Sequence, residues 1–97
     1  MPILKYTQAA EEHLYELKKD PSKNRILKDV VKALRLMETN LRHPSLNTHE
    51  YKNLKGPNGE KVFESYAQNN TPGAYRIFWH YGPKKNQITV VAIVSHP

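Results

Sequence analysis

Two cationic side chains stand in a run of β-branched and aromatic residues, over positions 74–81. Alternation along a strand would put Arg76 and His80 on one face with Phe78, and Tyr75, Ile77 and Trp79 on the other. An arginine offers a rigid fork of N–H donors that suits phosphate oxygens and the added charge of a phosphoryl-transfer transition state. The alternative interpretation of Arg76 is an ordinary ion pair on an exposed strand.

His96 is the second candidate for chemistry, because it follows the long apolar run of residues 88–94 directly after Ser95. Histidine can give or take a proton near neutral pH, which suits it to general acid or base catalysis. The alternative interpretation is a frayed residue beyond the last strand, since such residues are often disordered.

Further candidates lie on the strands that precede this run. Glu64 and Tyr66 would share one face of a neighbouring strand, where Glu64 serves as a general base or as the salt-bridge partner of Arg76. Lys52 and Lys55 flank Leu54 and are candidates for contacts with RNA phosphates, the alternative being solvated surface lysines.

His80 is also a candidate RNA contact. It would lie about 13 Å from Arg76, because four residues of strand rise roughly 3.3 Å each. At that separation the two side chains could contact one polynucleotide but not one phosphate.

The sequence predicts neither a metal site nor a cofactor. Its 5 histidines show no paired-ligand spacing, and the chain has no cysteine. A glycine-rich phosphate loop is also missing from the sequence. We therefore expect chemistry by side chains alone.

Composition indicates one basic domain over residues 1–97. The net charge of +6 favours a polyanion or an acidic protein as partner, although basic residues also serve solubility alone. Hydrophobic residues make up 38% and charged residues 25%, as in ordinary globular proteins, which argues against a membrane partner. The first residues lack the apolar run of a secretory signal, so we expect a cytoplasmic protein.

The candidate residues must be positioned by helices and strands, and the spacing of apolar residues changes from helical to a period of two after His43. A short strand over residues 2–6 precedes a helix capped by Thr7, and Asp20 with Pro21 signals a second helix to about Leu41. Period-two runs over 50–55, 61–67, 74–81 and 88–94 then indicate strands. The pattern predicts an α+β domain in which a helical hairpin packs on one face of a mainly antiparallel sheet of four to five strands, with Arg76 on the other face.

Several short segments together resemble the RelE/ParE superfamily of bacterial toxins from toxin–antitoxin systems. The block Tyr-Arg-Ile-Phe-Trp at 75–79 resembles the family's aromatic-Arg-aliphatic-aliphatic-aromatic strand, and 90–96 resembles its last strand. The segment His-Pro-Ser-Leu at 43–46 and Leu-Lys-Gly at 54–56 are also of the kind that the family has near its second strand. The resemblance covers essentially the whole chain and implies a RelE-like fold.

The resemblance implies a toxin that cuts messenger RNA without metal, often on the ribosome, and that is paired with an antitoxin protein. Arg76 matches the family's phosphate-stabilising arginine, and His96 matches the last-strand histidine of some members. Two departures from the family are visible: Glu64 and Tyr66 stand where some members have paired lysines, and the arginine-rich tail and C-terminal helix of others are missing. The alternatives are a ParE-like toxin that acts on DNA gyrase and a non-catalytic basic module that binds nucleic acid.

Overall fold

The computed structural model describes residues 1–69 and 71–96 of the chain. Two helices and five strands follow one another as β1 (Ile3–Tyr6), α1 (Gln8–Lys19), α2 (Asn24–Thr39), β2 (His49–Lys55), β3 (Lys61–Tyr66), β4 (Tyr75–Tyr81) and β5 (Gln87–Ser95). Short 3₁₀ turns, Pro21–Lys23 and Pro44–Leu46, precede α2 and β2. None of the described helices has both the length and the apolar composition that a membrane crossing requires.

The strands form one sheet in the order β1-β5-β4-β3-β2. β1 runs parallel to β5, whereas β5, β4, β3 and β2 pair antiparallel with their neighbours. The expected α+β architecture with a mainly antiparallel sheet is therefore confirmed. β5 is apolar on both faces because along Gln87–Val90 it lies between β1 and β4.

The core lies between the helices and one face of the sheet. Ile77 and Trp79 of β4 are at most 1% exposed and belong to the same buried cluster as Val30 and Met37 of α2. Arg76 is not part of that cluster and lies on the opposite face, as the alternation along the strand predicted. The helices therefore leave the Arg76 face of the sheet uncovered.

The second helix is shorter than the sequence suggested. Asp20 caps the 3₁₀ turn, since its Oδ1 accepts hydrogen bonds from the backbone N (3.0 Å) and the hydroxyl (2.6 Å) of Ser22. The helix ends at Thr39, two residues before the expected Leu41. Val31, an apolar residue of α2, is 37% exposed and lies outside the core cluster.

Two irregularities interrupt the ladders of the sheet. The β2–β3 register shifts between Glu50 and Lys55, so that His49 rather than a later residue lies opposite Glu64. The β4–β5 register shifts between Phe78 and Trp79, whose partners are Ala92 and Val90. A shift of this kind bends a strand and re-aims its side chains.

Candidate active site

A single buried carboxylate lies at the centre of the uncovered face of the sheet. Glu64 of β3 is 3% exposed, and its two oxygens contact three cationic or titratable side chains. Oε1 is 2.9 Å from Nε2 of His49, whereas Oε2 is 3.5 Å from Nε of Arg76 and 3.6 Å from Nε2 of His96. We call these four residues with Tyr66 the Glu64 cluster.

Arg76 is held in place from three sides. Its side chain is 10% exposed, its Nη1 donates a hydrogen bond of 2.6 Å to the carbonyl of Gln68, and its guanidinium carbon lies 3.6 Å from the centre of the Tyr66 ring. Arg76 and Tyr66 are direct partners in the β3–β4 ladder, which explains this stacking. Nε of Arg76 and Oε2 of Glu64 are buried and make no hydrogen bond to a described residue, so they interact as an ion pair.

His49 is oriented through both of its ring nitrogens. Nδ1 lies 2.8 Å from the carbonyl oxygen of Asn47, which has a left-handed backbone with φ of 45°, and Nε2 faces Glu64. The Asn47 carbonyl can only accept a hydrogen bond, so Nδ1 of His49 is the donor in that contact. With both nitrogens occupied, His49 is suited to holding the carboxylate rather than to transferring protons.

His96 reaches the cluster through the end of β5. Its backbone N donates a hydrogen bond of 2.8 Å to the carbonyl of Ala74, which fixes the chain just beyond the strand. Its side chain is 46% exposed and presents Nε2 to Glu64. A carboxylate that faces one ring nitrogen of a histidine orients the ring.

A chain of hydrogen bonds joins the start of β2 to the core beneath the cluster. The Ser65 hydroxyl accepts a bond of 2.9 Å from Nε1 of Trp79 and lies 2.8 Å from the Thr48 hydroxyl. Because Thr48 precedes His49, this chain fixes the point at which His49 enters the sheet. The position of His49 therefore depends on a core tryptophan from β4.

The structure brings four of the expected residues together, namely Arg76, Glu64, Tyr66 and His96. Of the two outcomes that the sequence left open for Glu64, the ion pair with Arg76 is present. Within the part of the chain that the structure describes, the three expected RNA contacts, Lys52, Lys55 and His80, form no hydrogen bond or ion pair with the cluster. His80 is 4% exposed with Nδ1 2.8 Å from the carbonyl of Tyr81, so little of its ring is accessible to a ligand.

The two lysines of β2 are both accessible. Lys52 is exposed, and Lys55 is exposed with its Nζ 3.7 Å from a carboxylate oxygen of Glu50. His49 is the residue that the sequence interpretation missed. An unbroken ladder from the pair Lys55 and Lys61 would have placed His49 opposite Ala67, and only the register shift brings it to Glu64.

The chemistry open to this cluster is anion binding together with proton transfer. Arg76 and two half-exposed histidines surround one carboxylate, so the site is positively charged when the histidines are protonated. Among residues 1–69 and 71–96, no group of three histidine, aspartate or glutamate side chains is arranged to hold a metal ion.

Comparisons with known proteins give matches at the level of structure. No protein-family model and no curated protein matches the chain in sequence. A YoeB/ParE toxin from Agrobacterium tumefaciens superimposes with a TM-score of 0.68 at 11% identity, over 97% of this chain and 98% of the toxin. YafQ from Escherichia coli gives 0.66 at 8% identity, over 99% and 94% of the two chains.

A third structure, the intact RelBE toxin–antitoxin complex of Escherichia coli, superimposes with a TM-score of 0.62 at 12% identity, over 100% of this chain and 99% of the other. These matches extend over nearly the full length of both partners in each comparison. The two helices and the five-stranded mixed sheet of this chain thus have the RelE-like arrangement that the sequence resemblance implied. The chain has the fold of the RelE/ParE toxin structures.

Proposed function

We propose that this protein is the toxin of a toxin–antitoxin pair and that it cuts messenger RNA. The observation that carries the proposal is the Glu64 cluster, in which an arginine and a half-exposed histidine meet on the uncovered face of a RelE-like sheet. Cleavage of RNA at a phosphate needs a cation for the developing charge and a proton donor for the leaving oxygen. Arg76 and His96 supply these two functions.

In the proposed reaction the ribose 2′-hydroxyl attacks the adjacent phosphorus. The P–O2′ bond forms as the P–O5′ bond breaks, which leaves a 2′,3′-cyclic phosphate and a 5′-hydroxyl. Tyr66 orients the 2′-hydroxyl, whose proton passes to water, while His96 gives a proton to the leaving 5′-oxygen. Arg76 stabilises the charge on the non-bridging oxygens, so no metal ion is required.

Glu64 and His49 act in this proposal as positioning residues. Glu64 is too buried to contact a 2′-hydroxyl, but its oxygens hold the rings of His49 and His96 and the guanidinium of Arg76. The contact between Oε1 of Glu64 and Nε2 of His49 leaves Oε2 as the oxygen that faces Arg76 and His96. This role for Glu64 replaces that of a general base.

The proposed partner is a small antitoxin protein that covers either the basic sheet face or the helical hairpin. One of the structures that share this fold is a toxin–antitoxin complex. The charge of +6 would speed the approach of an acidic antitoxin, and apolar contacts would hold the complex. Messenger RNA, on or off the ribosome, is the proposed substrate of a cytoplasmic enzyme.

Incubation of purified protein with a defined messenger RNA, in EDTA and with and without ribosomes, tests the activity. We expect cleavage to fall about 100- to 1000-fold in Arg76→Ala, the usual effect of losing a transition-state charge contact. His96→Ala should lose about 100- to 10,000-fold, the range for a general acid. Arg25→Ala is the matched control, because the Arg25 side chain is 88% exposed on α2.

Two further arms separate the remaining alternatives. A substrate with a 5′-sulfur leaving group needs no general acid, so it should restore cleavage by His96→Ala but not by Arg76→Ala. Intact RNA together with stalled gyrase on plasmid DNA would instead identify a gyrase-directed toxin. Full growth inhibition by both variants would overturn the catalytic proposal.

A further inference from the structure

An apolar cavity adjoins the Glu64 cluster on the same face of the sheet. Its volume is about 330 Å³, and its lining is Tyr51, Asn53, Leu54, Phe78, Ala92 and Val94. Phe78 is the direct ladder partner of Glu64 on one side and of Ala92 on the other. The cavity therefore begins one strand away from the carboxylate at the centre of the cluster.

The lining combines aromatic rings with few polar groups. The rings of Tyr51 and Phe78 meet edge to face, with centres 4.9 Å apart and planes at 67°. Leu54 is 42% exposed and adds apolar surface to the lining. Asn53 and the Tyr51 hydroxyl are the groups of the lining that can form hydrogen bonds to a ligand.

Two cationic side chains lie near the cavity, and one of them, Arg76, is paired with Glu64. Arg76 precedes Phe78 by two residues of β4, which is about 7 Å along the strand. Lys52 lies between Tyr51 and Asn53 in the sequence and is exposed. Aromatic side chains beside cations are the combination with which proteins bind single-stranded nucleic acids, since bases stack on the rings while the cations follow the phosphates.

We propose that this cavity binds a nucleobase of single-stranded RNA, that of a nucleotide next to the phosphate at Arg76. The inference rests on the proposed function for the choice of RNA, and it adds a base-binding subsite to that function. The apolar walls fit the faces of a base, and Asn53 with the Tyr51 hydroxyl can contact its edge. Cleavage should consequently depend on the identity of one base beside the cut.

Binding of short oligonucleotides tests the subsite without requiring cleavage. The RNAs carry a 2′-O-methyl group on every ribose, so they cannot be cut by 2′-hydroxyl attack, and one abasic position is moved along the series. For the unmodified protein we expect one position at which loss of the base weakens binding about 5- to 150-fold, as for a stacked base. Fluorescence anisotropy gives the dissociation constants.

Three variants turn this series into a double-mutant cycle. Tyr51→Ala should weaken binding of the complete oligonucleotide to a similar extent and make the abasic position neutral, whereas Tyr51→Phe keeps the ring and should retain most of the dependence. Ala92→Leu fills the cavity and should act like Tyr51→Ala. Tyr15→Ala is the matched control, since Tyr15 is 64% exposed on α1.

The outcomes for the subsite and for the proposed function are separable. Abasic positions that all bind equally to the unmodified protein overturn the subsite, even if normal RNA is cleaved. Dependence on one base that persists undiminished in Tyr51→Ala also overturns the subsite. The same holds if the only defect of Tyr51→Ala is in binding a protein partner. Base-dependent binding without cleavage of normal RNA would support the subsite and contradict the ribonuclease.

Discussion

Glu64 is the residue on which the rest of the cluster depends. Removing a carboxylate from water is costly, and the cost is offset only when cationic partners and hydrogen bonds surround it. Among the described residues, Glu64 forms one hydrogen bond, with His49, and has two longer contacts, with Arg76 and His96. The buried ion pair with Arg76 therefore serves the arrangement of the site more than the stability of the fold.

Removing one partner of this pair should destabilise the protein. We expect Glu64→Ala to lower the free energy of unfolding by about 3–5 kcal/mol, since it leaves the Arg76 guanidinium buried without its carboxylate. Adding Arg76→Met should recover much of that loss, because an apolar side chain replaces the uncompensated charge. Urea denaturation measures both, and Glu12→Ala on the exposed surface of α1 is the control. Equal stability of the single and double variants would show that the pair is not coupled.

At the scale of single residues, the sequence was informative wherever simple alternation holds. Arg76, Glu64 and Tyr66 share a face because β3 and β4 pair without interruption over these positions. His49 could not be assigned to the site, because its partner depends on the irregularity between Glu50 and Lys55. Such a shift leaves no signal in the hydrophobic pattern of an edge strand that is mostly exposed.

At the scale of elements, local signals located the helices and strands well. Thr7 caps α1 with its hydroxyl, which accepts a hydrogen bond from the backbone N of Ala10, and the polar loop after Tyr81 joins β4 to β5. The end of α2 was less predictable. Apolar spacing continues to Leu41, but the helix stops at Thr39, and the backbone N of Asn40 bonds to Leu36 at its end.

The cap at Asp20 should make stability depend on pH. Hydrogen bonds from the Ser22 hydroxyl and then its backbone N hold the pKa of Asp20 below its ordinary value. A carboxyl whose folded pKa is lowered adds stability above about pH 4, its unfolded pKa, and loses it as the pH falls through the folded value. Asp20→Ala should thus lower the Tm at pH 7, with a gap to the unmodified protein that narrows toward about pH 2.

Thermal unfolding followed by circular dichroism at both pH values measures that gap. Asp20→Asn is the matched control, because an asparagine keeps the acceptor oxygen without the titration. A gap for Asp20→Ala that is constant with pH would show that the ionised carboxylate contributes nothing at this cap.

At the scale of the whole molecule, the fold separates its two surfaces. The helices cover one face of the sheet, and the Glu64 cluster with its neighbouring cavity lies on the other. The overall charge could be read from the sequence, but not how much of it lies near the site. Lys52 and Lys55 are on the strand that borders the cavity, which makes them the candidates for contacts with flanking phosphates.

Binding of RNA should weaken with salt in a way that identifies these contacts. Each phosphate neutralised on a single strand adds about 0.7 to the slope of log affinity against log salt concentration. Lys52→Gln should therefore reduce that slope by about 0.7, while Lys18→Gln on α1 should leave it unchanged. Titrations of a non-cleavable RNA at several salt concentrations measure the slopes. Equal salt slopes for Lys52→Gln and Lys18→Gln would show that Lys52 contacts no phosphate of the bound RNA.

The pairing of β1 with β5 has a consequence for how the protein comes into being in the cell. Ile3 is matched with Gln87, so β1 has no neighbouring strand until 84 further residues have been added to the chain. At about 5–20 residues per second, that interval lasts roughly 4–17 s. During it, His96 is missing from the Glu64 cluster, so the cluster is complete only after the whole of β5 has been synthesised.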